Sequence, residues 1–200
     1  ILVLFLGTIL AFLIFSNLSS KPTETVQEVS AVNGTGIVLP SHFTERKITD
    51  PSTARDAIND VADTLGIVSV EDELGTADCS TVLGDTYYSF PQVYRGIPVY
   101  GRKVTVSADA DSEAALLTSG FYPIENLSVE AKITQNDAEK IVAGLYPGEA
   151  DIYVNNLVIF SLDKTNPELA WKISVHQNNS WESVFLSAVD GRALKTFSNE

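Results

Sequence analysis

Tyr88-Ser89-Phe90-Pro91-Gln92-Val93-Tyr94-Arg95-Gly96-Ile97-Pro98-Val99-Tyr100-Gly101 is the stretch on which the reading of this chain turns. It is crowded with aromatic and β-branched residues, which suit a pleated and half-buried surface, and it is punctuated by Arg95-Gly96 and Tyr100-Gly101, where the backbone can turn. A glycine ahead of Ile97-Pro98-Val99 permits a positive φ or a bulge, and Pro98 lacks a donor for the strand ladder. The strand is therefore expected to bend and to lie near an edge. Around it a period of two runs from Thr86 to Pro123: Val104 and Val106 alternate with Thr105 and Ser107, and Asp109-Ala110-Asp111-Ser112 marks a turn. An antiparallel meander with one buried face follows, its other face wet or covered by a partner.

Upstream, Asp50-Pro51-Ser52 marks a helix start, and Ala54, Ala57, Ile58, Val61, Ala62 and Leu65 fall on one helical face before Gly66 supplies the stop. The spacing predicts an amphipathic helix of about four turns. Downstream, Thr134 with Asp137 forms a capping-box-like start, Ala138, Ile141, Val142 and Leu145 make an apolar stripe, and Pro147-Gly148 ends the helix. Strands return over Asn156 to Leu162, Leu169 to His176 and Ser183 to Val189, and Asp190-Gly191 is a hairpin signal leading into Ala193 to Phe197. Helix followed by antiparallel strands thus occurs twice. The expected fold class is α+β: two small modules, 46–128 and 129–200, each a helix packed on an antiparallel β-sheet, rather than a parallel α/β fold whose strands alternate with helices.

Residues 1–20 carry no charge and Ile1 to Phe15 is almost wholly apolar, the pattern of a signal peptide or a membrane anchor, with a length closer to the core of a signal peptide. The chain has no Met and does not begin with one, so the leader is expected to be truncated at its start. Residues 21–45 are polar and lack a clear period, and read as a linker. The location expected from this leader is secreted or extracytoplasmic, with membrane contact only through the N-terminal apolar segment. The single Cys79 leaves no intrachain disulfide and reads as a buried or half-buried thiol. Against 13 basic residues the chain sets 26 acidic ones, and a net charge of -13 argues against nucleic acid as a partner. Arg95, Arg102 and Lys103 form a basic cluster far too small to reverse that, and read as a solvated strand edge.

Phe90, Gln92, Tyr94, Gly96, Ile97, Pro98, Val99, Tyr100 and Gly101 match in spacing the recurring core of the fungalysin/thermolysin propeptide domain, and residues 46–128 resemble that family. From about Ile133 to Phe197, Ile133-Thr134 leading into the helix, Leu169-Ala170-Trp171-Lys172-Ile173 and Val184 through Gly191 resemble a PepSY domain, the module that follows in thermolysin-like precursors. The resemblance implies a cystatin-like or PepSY-like fold for each module. It also implies the pro-region of an exported thermolysin-like zinc metalloprotease, an intramolecular chaperone and inhibitor whose partner is the cognate catalytic domain in cis.

No His-Glu-x-x-His occurs here, and His42 and His176 lack acidic neighbours at ligand spacing, so neither a catalytic residue nor a metal or cofactor site is expected in this chain. Zinc, and calcium with it, belong by the resemblance to the absent catalytic domain. Asp109-Ala110-Asp111-Ser112-Glu113 lacks the glycine and further ligands of a calcium loop and reads as a turn. Tyr94 and Tyr100 are either structural or partner-facing. Trp171 is expected in the core, whereas Trp181, beside the turn-forming Asn178-Asn179-Ser180, is the interface candidate. Asn17, Asn33, Asn126 and Asn178 each open an Asn-x-Ser/Thr triplet. The rival reading is a free-standing exported or membrane-tethered binding protein of PepSY type, inhibiting a peptidase in trans.

Overall fold

The computed structural model describes residues 36–161 and 166–199. The expected leader, the first part of the linker and the Asn17 and Asn33 triplets lie outside them. Within the described residues the fold is α+β, and its two modules each carry a helix on one face of an antiparallel sheet.

In the first module, α1 (Pro51–Asp60) opens with a capping box. The Asp50 carboxylate accepts from the Thr53 N–H at 2.9 Å, and the Thr53 hydroxyl accepts from the Asp50 N–H at 3.1 Å. The predicted four-turn helix is broken: at Val61 φ reaches -122°, and a separate turn, α2 (Ala62–Leu65), ends at Gly66 with φ of +73°. A further short helix, α3 (Val70–Glu73), was not legible in the periodicity.

Five strands complete the module. They are β1 (Ile37–Leu39), β2 (Asp78–Val82), β3 (Asp85–Tyr94), β4 (Ile97–Ala108) and β5 (Ala114–Ser119), in the order β2-β3-β4-β5-β1. Ala54, Ala57 and Ile58 of α1 bury against Tyr88, Phe90, Val104, Val106 and Leu117 of the sheet. Val104 and Val106 are buried and Thr105 is half-buried, as the alternation predicts, but Ser107, expected on the open side, is buried as well.

Part of the stretch read as linker is integral to this module. β1 pairs with β5 from Ile37↔Ser119 to Leu39↔Leu117. Beyond it, Thr44 donates to Asp60 at 2.9 Å and Arg46 grips both oxygens of the same carboxylate, at 2.6 and 3.1 Å. That guanidinium holds the Asp60 carboxyl below the usual range.

The second module contains β6 (Asp151–Phe160), β7 (Glu168–Gln177), β8 (Ser180–Ser187) and β9 (Ala193–Asn199) in sequential order, with α4 (Gln135–Leu145) across one face. Thr134 caps α4 through the Asp137 N–H, as its spacing predicted. Ala138 and Val142 bury against Ile173, Val175, Val184 and Leu186. Trp171 is half-buried beside that cluster, its Nε1 donating to the Ile133 carbonyl at 2.9 Å. Gly191 lets the β8–β9 connection run under α4: a Cβ there would stand 2.8 Å from Ile141 Cδ1.

Candidate functional site

The motif stretch spans the end of β3 and the start of β4, and its two halves do different work. Phe90, 1% exposed, lies in the first core with the Arg55 guanidinium 4.9 Å above its ring. Arg55 in turn donates to the carbonyls of Val70, Leu74 and Gly75, at 2.9, 3.2 and 2.6 Å, and so ties α1 to the end of α3. Its place was not legible in the sequence, where it is one more charge on a helix.

Gln92, 2% exposed, acts as a substitute peptide group: Nε2 donates to the Tyr122 carbonyl at 2.7 Å, and the Tyr122 N–H donates to Oε1 at 3.3 Å. Its own backbone bridges to Leu74. A buried amide costs free energy unless its polar groups are paired; here the pairing locks the segment after β5 onto β3.

Tyr94 to Ile97 makes the tight turn. Arg95 and Gly96 have φ of +49° and +79°, the signs a type I′ hairpin needs at both central positions. Nothing lies within 4 Å of a Cβ at Gly96, so the glycine answers a conformational demand alone. Gly96→Ala is accordingly expected to cost about 1–2 kcal/mol, read as a lower thermal midpoint with an unchanged circular dichroism spectrum.

Of the positive φ or bulge expected at Gly96, the positive φ is found there, and a bulge occurs a few residues away. β3 and β4 pair at Val93↔Pro98 and again at Pro91↔Lys103, so Val99, Tyr100, Gly101 and Arg102 stand opposite the single residue Gln92. Gly101, with φ of +69°, sits in this excursion. The excursion carries β4 across to the second module, where Val99 forms a parallel bridge with Ile159 of β6.

Tyr94, Ile97 and Val99 join Tyr122, Ile124 and Ile159 in a cluster at the junction, while the Tyr100 ring packs 4.5 Å from Phe185 and 6.0 Å from Phe160. Tyr94 and Tyr100 are thus half-buried inside the chain, and Pro98 is exposed together with Gly96 and Gly101.

Trp181 lies far from this junction. It is on β8 itself, just beyond the turn made by Asn178 and Asn179, and it is 43% exposed. It pairs directly with His176, whose ring is 4.8 Å away, and Tyr153 stacks at 5.9 Å. Asp151 approaches His176 Nδ1 at 3.4 Å. This row of three near-parallel rings on the face opposite α4 was half legible: the Asn178-Asn179 turn implies the His176–Trp181 register, but Tyr153 falls outside the strand expected from residue 156. Close by, burial and then a hydrogen bond to Glu182 push the Tyr146 phenol up to about 12, so at neutral pH it is a donor.

Other expectations resolve more simply. Cys79 is exposed on β2 rather than buried, because β2 is an edge strand whose residues all face solvent. Asp109 closes the turn after β4, accepting from the Asp111 and Glu113 N–H groups at 2.9 Å. Among the described residues no group of three or more His, Cys, Asp or Glu is placed to hold a metal ion, and no helix is long and apolar enough to cross a membrane.

Residues 79–121 match the fungalysin/thermolysin propeptide motif. Among solved structures the chain is similar to the YpeB C-terminal domain of Bacillus megaterium, at 13% identity and a TM-score of 0.43, over 82% of this chain and 77% of that one. It is also similar to a chain from Clostridium difficile 630 assigned as a lipoprotein, at 16% identity and a TM-score of 0.30, over 80% of this chain and 99% of that one. No curated protein matches.

Proposed function

We propose, from the propeptide motif at residues 79–121, that this chain is the non-catalytic pro-region of an exported thermolysin-like zinc metallopeptidase, aiding the folding of its catalytic domain in cis and masking it. The motif match carries the reading. In this proposal zinc, and calcium with it, belong to the catalytic domain, and this chain holds no cofactor. The protein works outside the cytoplasm, any membrane contact being made by residues 1–20.

Physically the role suits the fold. A secreted protease gains from a high unfolding barrier, and a covalently attached template lowers the matching barrier to folding. Attachment supplies an effective concentration on the order of millimolar, so a modest contact surface masks the enzyme before cleavage and releases it on dilution. The Trp181, His176 and Tyr153 row is the surface we assign to that contact, being aromatic and outside both cores, with Trp181 and Tyr153 exposed and His176 half-buried.

The test is to refold a urea-denatured thermolysin-like catalytic domain with and without the purified chain, and to titrate the chain against the native enzyme. Raised refolding yield and saturable inhibition are expected. Trp181→Ser should weaken inhibition about 30-fold, the effect of losing an interface anchor worth about 2 kcal/mol, without changing the thermal midpoint. Neither assistance nor inhibition with the cognate or a related enzyme would overturn the reading; inhibition in trans without folding assistance would favour a free-standing inhibitor.

A further inference from the structure

We propose that the cleft between the two modules is a binding site for an extended acidic peptide, held by Lys103 on one wall and Lys172 on the other. The excursion of β4 leaves a cavity of about 620 Å³ whose lining draws on β2, β3 and β4 of the first module and on β6 and β7 of the second. That size lies in the usual range for ligand sites, about 300–1,000 Å³.

Charge picks the occupant. The chain carries -13 overall, yet Arg102, Lys103 and Lys172 all line this cleft, and Asp78 is the acid among its lining residues. The ion pairs among the described residues engage Arg46, Lys47, Arg55, His176 and Arg192, and none of the three cleft cations. Two of the three lie over rings instead: Lys172 Nζ is 5.4 Å from the centre of Tyr100, and Arg102 is 5.4 Å above Tyr122, while Lys103 is exposed. A ring face orients a cation without neutralising it, so the positive charge stays available to a ligand.

The rest of the lining narrows the class further. Pro98, Tyr100 and Val158 offer apolar contact, and Asn156 and Ser80 offer amide and hydroxyl partners for a main chain. A strand with alternating acidic and apolar side chains meets both kinds of surface at once. A polyphosphate chain has no apolar group to set against Pro98, Tyr100 and Val158. The inference goes beyond the pro-region reading and does not depend on it: the cleft is apart from the Trp181 row, and the ligand is defined by chemistry, whichever protein supplies it.

The probe is a fluorescein-labelled peptide of about six residues alternating Glu and Val, followed by anisotropy against the whole chain. Saturable binding is expected at about 50 mM salt, weakening at about 300 mM, with the Gln-for-Glu twin at least about tenfold weaker. The double substitution Lys103→Glu, Lys172→Gln should lower affinity at least about tenfold, and Lys140→Glu, exposed on α4, should not. Should the double variant melt early, Lys103→Glu alone, on an exposed side chain, is to show a loss of at least about threefold. Equal affinity for the Gln twin, retention of binding in the cleft variants, or displacement by inorganic phosphate at the peptide's own concentration would each overturn the proposal.

Discussion

Phe90→Ala lowers stability by about 4 kcal/mol, and the loss is expected to appear in urea unfolding as a midpoint shifted far to the left. The side chain is 1% exposed and sits among Tyr88, Val104, Val106 and Leu117 under α1, so its removal opens a cavity that the two-layer packing cannot close. A second loss accompanies the first. Arg55 rests on that ring while its guanidinium holds three carbonyls near the end of α3, and without the ring those bonds lose their backing. Against a total stability of about 5–15 kcal/mol for an ordinary domain, a change of this size is a large fraction. Phe90→Leu, which refills most of the volume, is expected to recover more than half of it. Equal midpoints for wild type and Phe90→Ala would show that the core does not depend on the motif.

Tyr100→Ala is expected to cost about 2–4 kcal/mol and to change the form of the transition as well as its midpoint. Tyr100 leaves the first module's strand and inserts its ring beside Phe185 and Phe160, in a cluster that also includes Val158, Ala170, Leu194 and Phe197. With the ring gone, the modules retain the Val99↔Ile159 bridge and the cluster around it as their main-chain and apolar link. Calorimetry should resolve the single unfolding peak into two, since cooperativity between modules depends on what they share. Tyr100→Phe keeps every ring contact and is expected to behave as wild type. A single sharp peak in Tyr100→Ala would mean that the remaining junction suffices.

The elements dominated by local chemistry were legible and those dominated by distant contacts were not. Asp50, Thr134 and Gly66 mark helix ends through bonds within their own turn, so their spacing carries the information. The alternation at Val104 and Val106 likewise states which side of the sheet is covered. By contrast β2 has no buried residue and hence no period to betray it. α3 is one turn long, and its exit is stabilised by an arginine from another helix.

The same division applies to the motif. Its glycines and Pro98 announced a bend, but the expected edge position is wrong, since β4 pairs with β3, β5 and β6. The four-residue excursion opposite Gln92 could not be foreseen, because its cause is a second module more than fifty residues further along. The exposure of Cys79 is hidden for a related reason: thiols are usually buried, and nothing near it in sequence reveals an edge strand.

The strand β4 belongs to both sheets, and this has a consequence for the order of assembly. A chain made from its N-terminus completes β4 at Ala108 and β5 at Ser119 well before β6 begins at Asp151. The first sheet can therefore close on the ribosome or at the exit of a translocation pore while the second is still unmade. Val99 and Tyr100 are left waiting as a mooring for the strands to come. Assembly in the opposite direction has no such anchorage, because the second sheet would have to form with the outer edge of β6 bare.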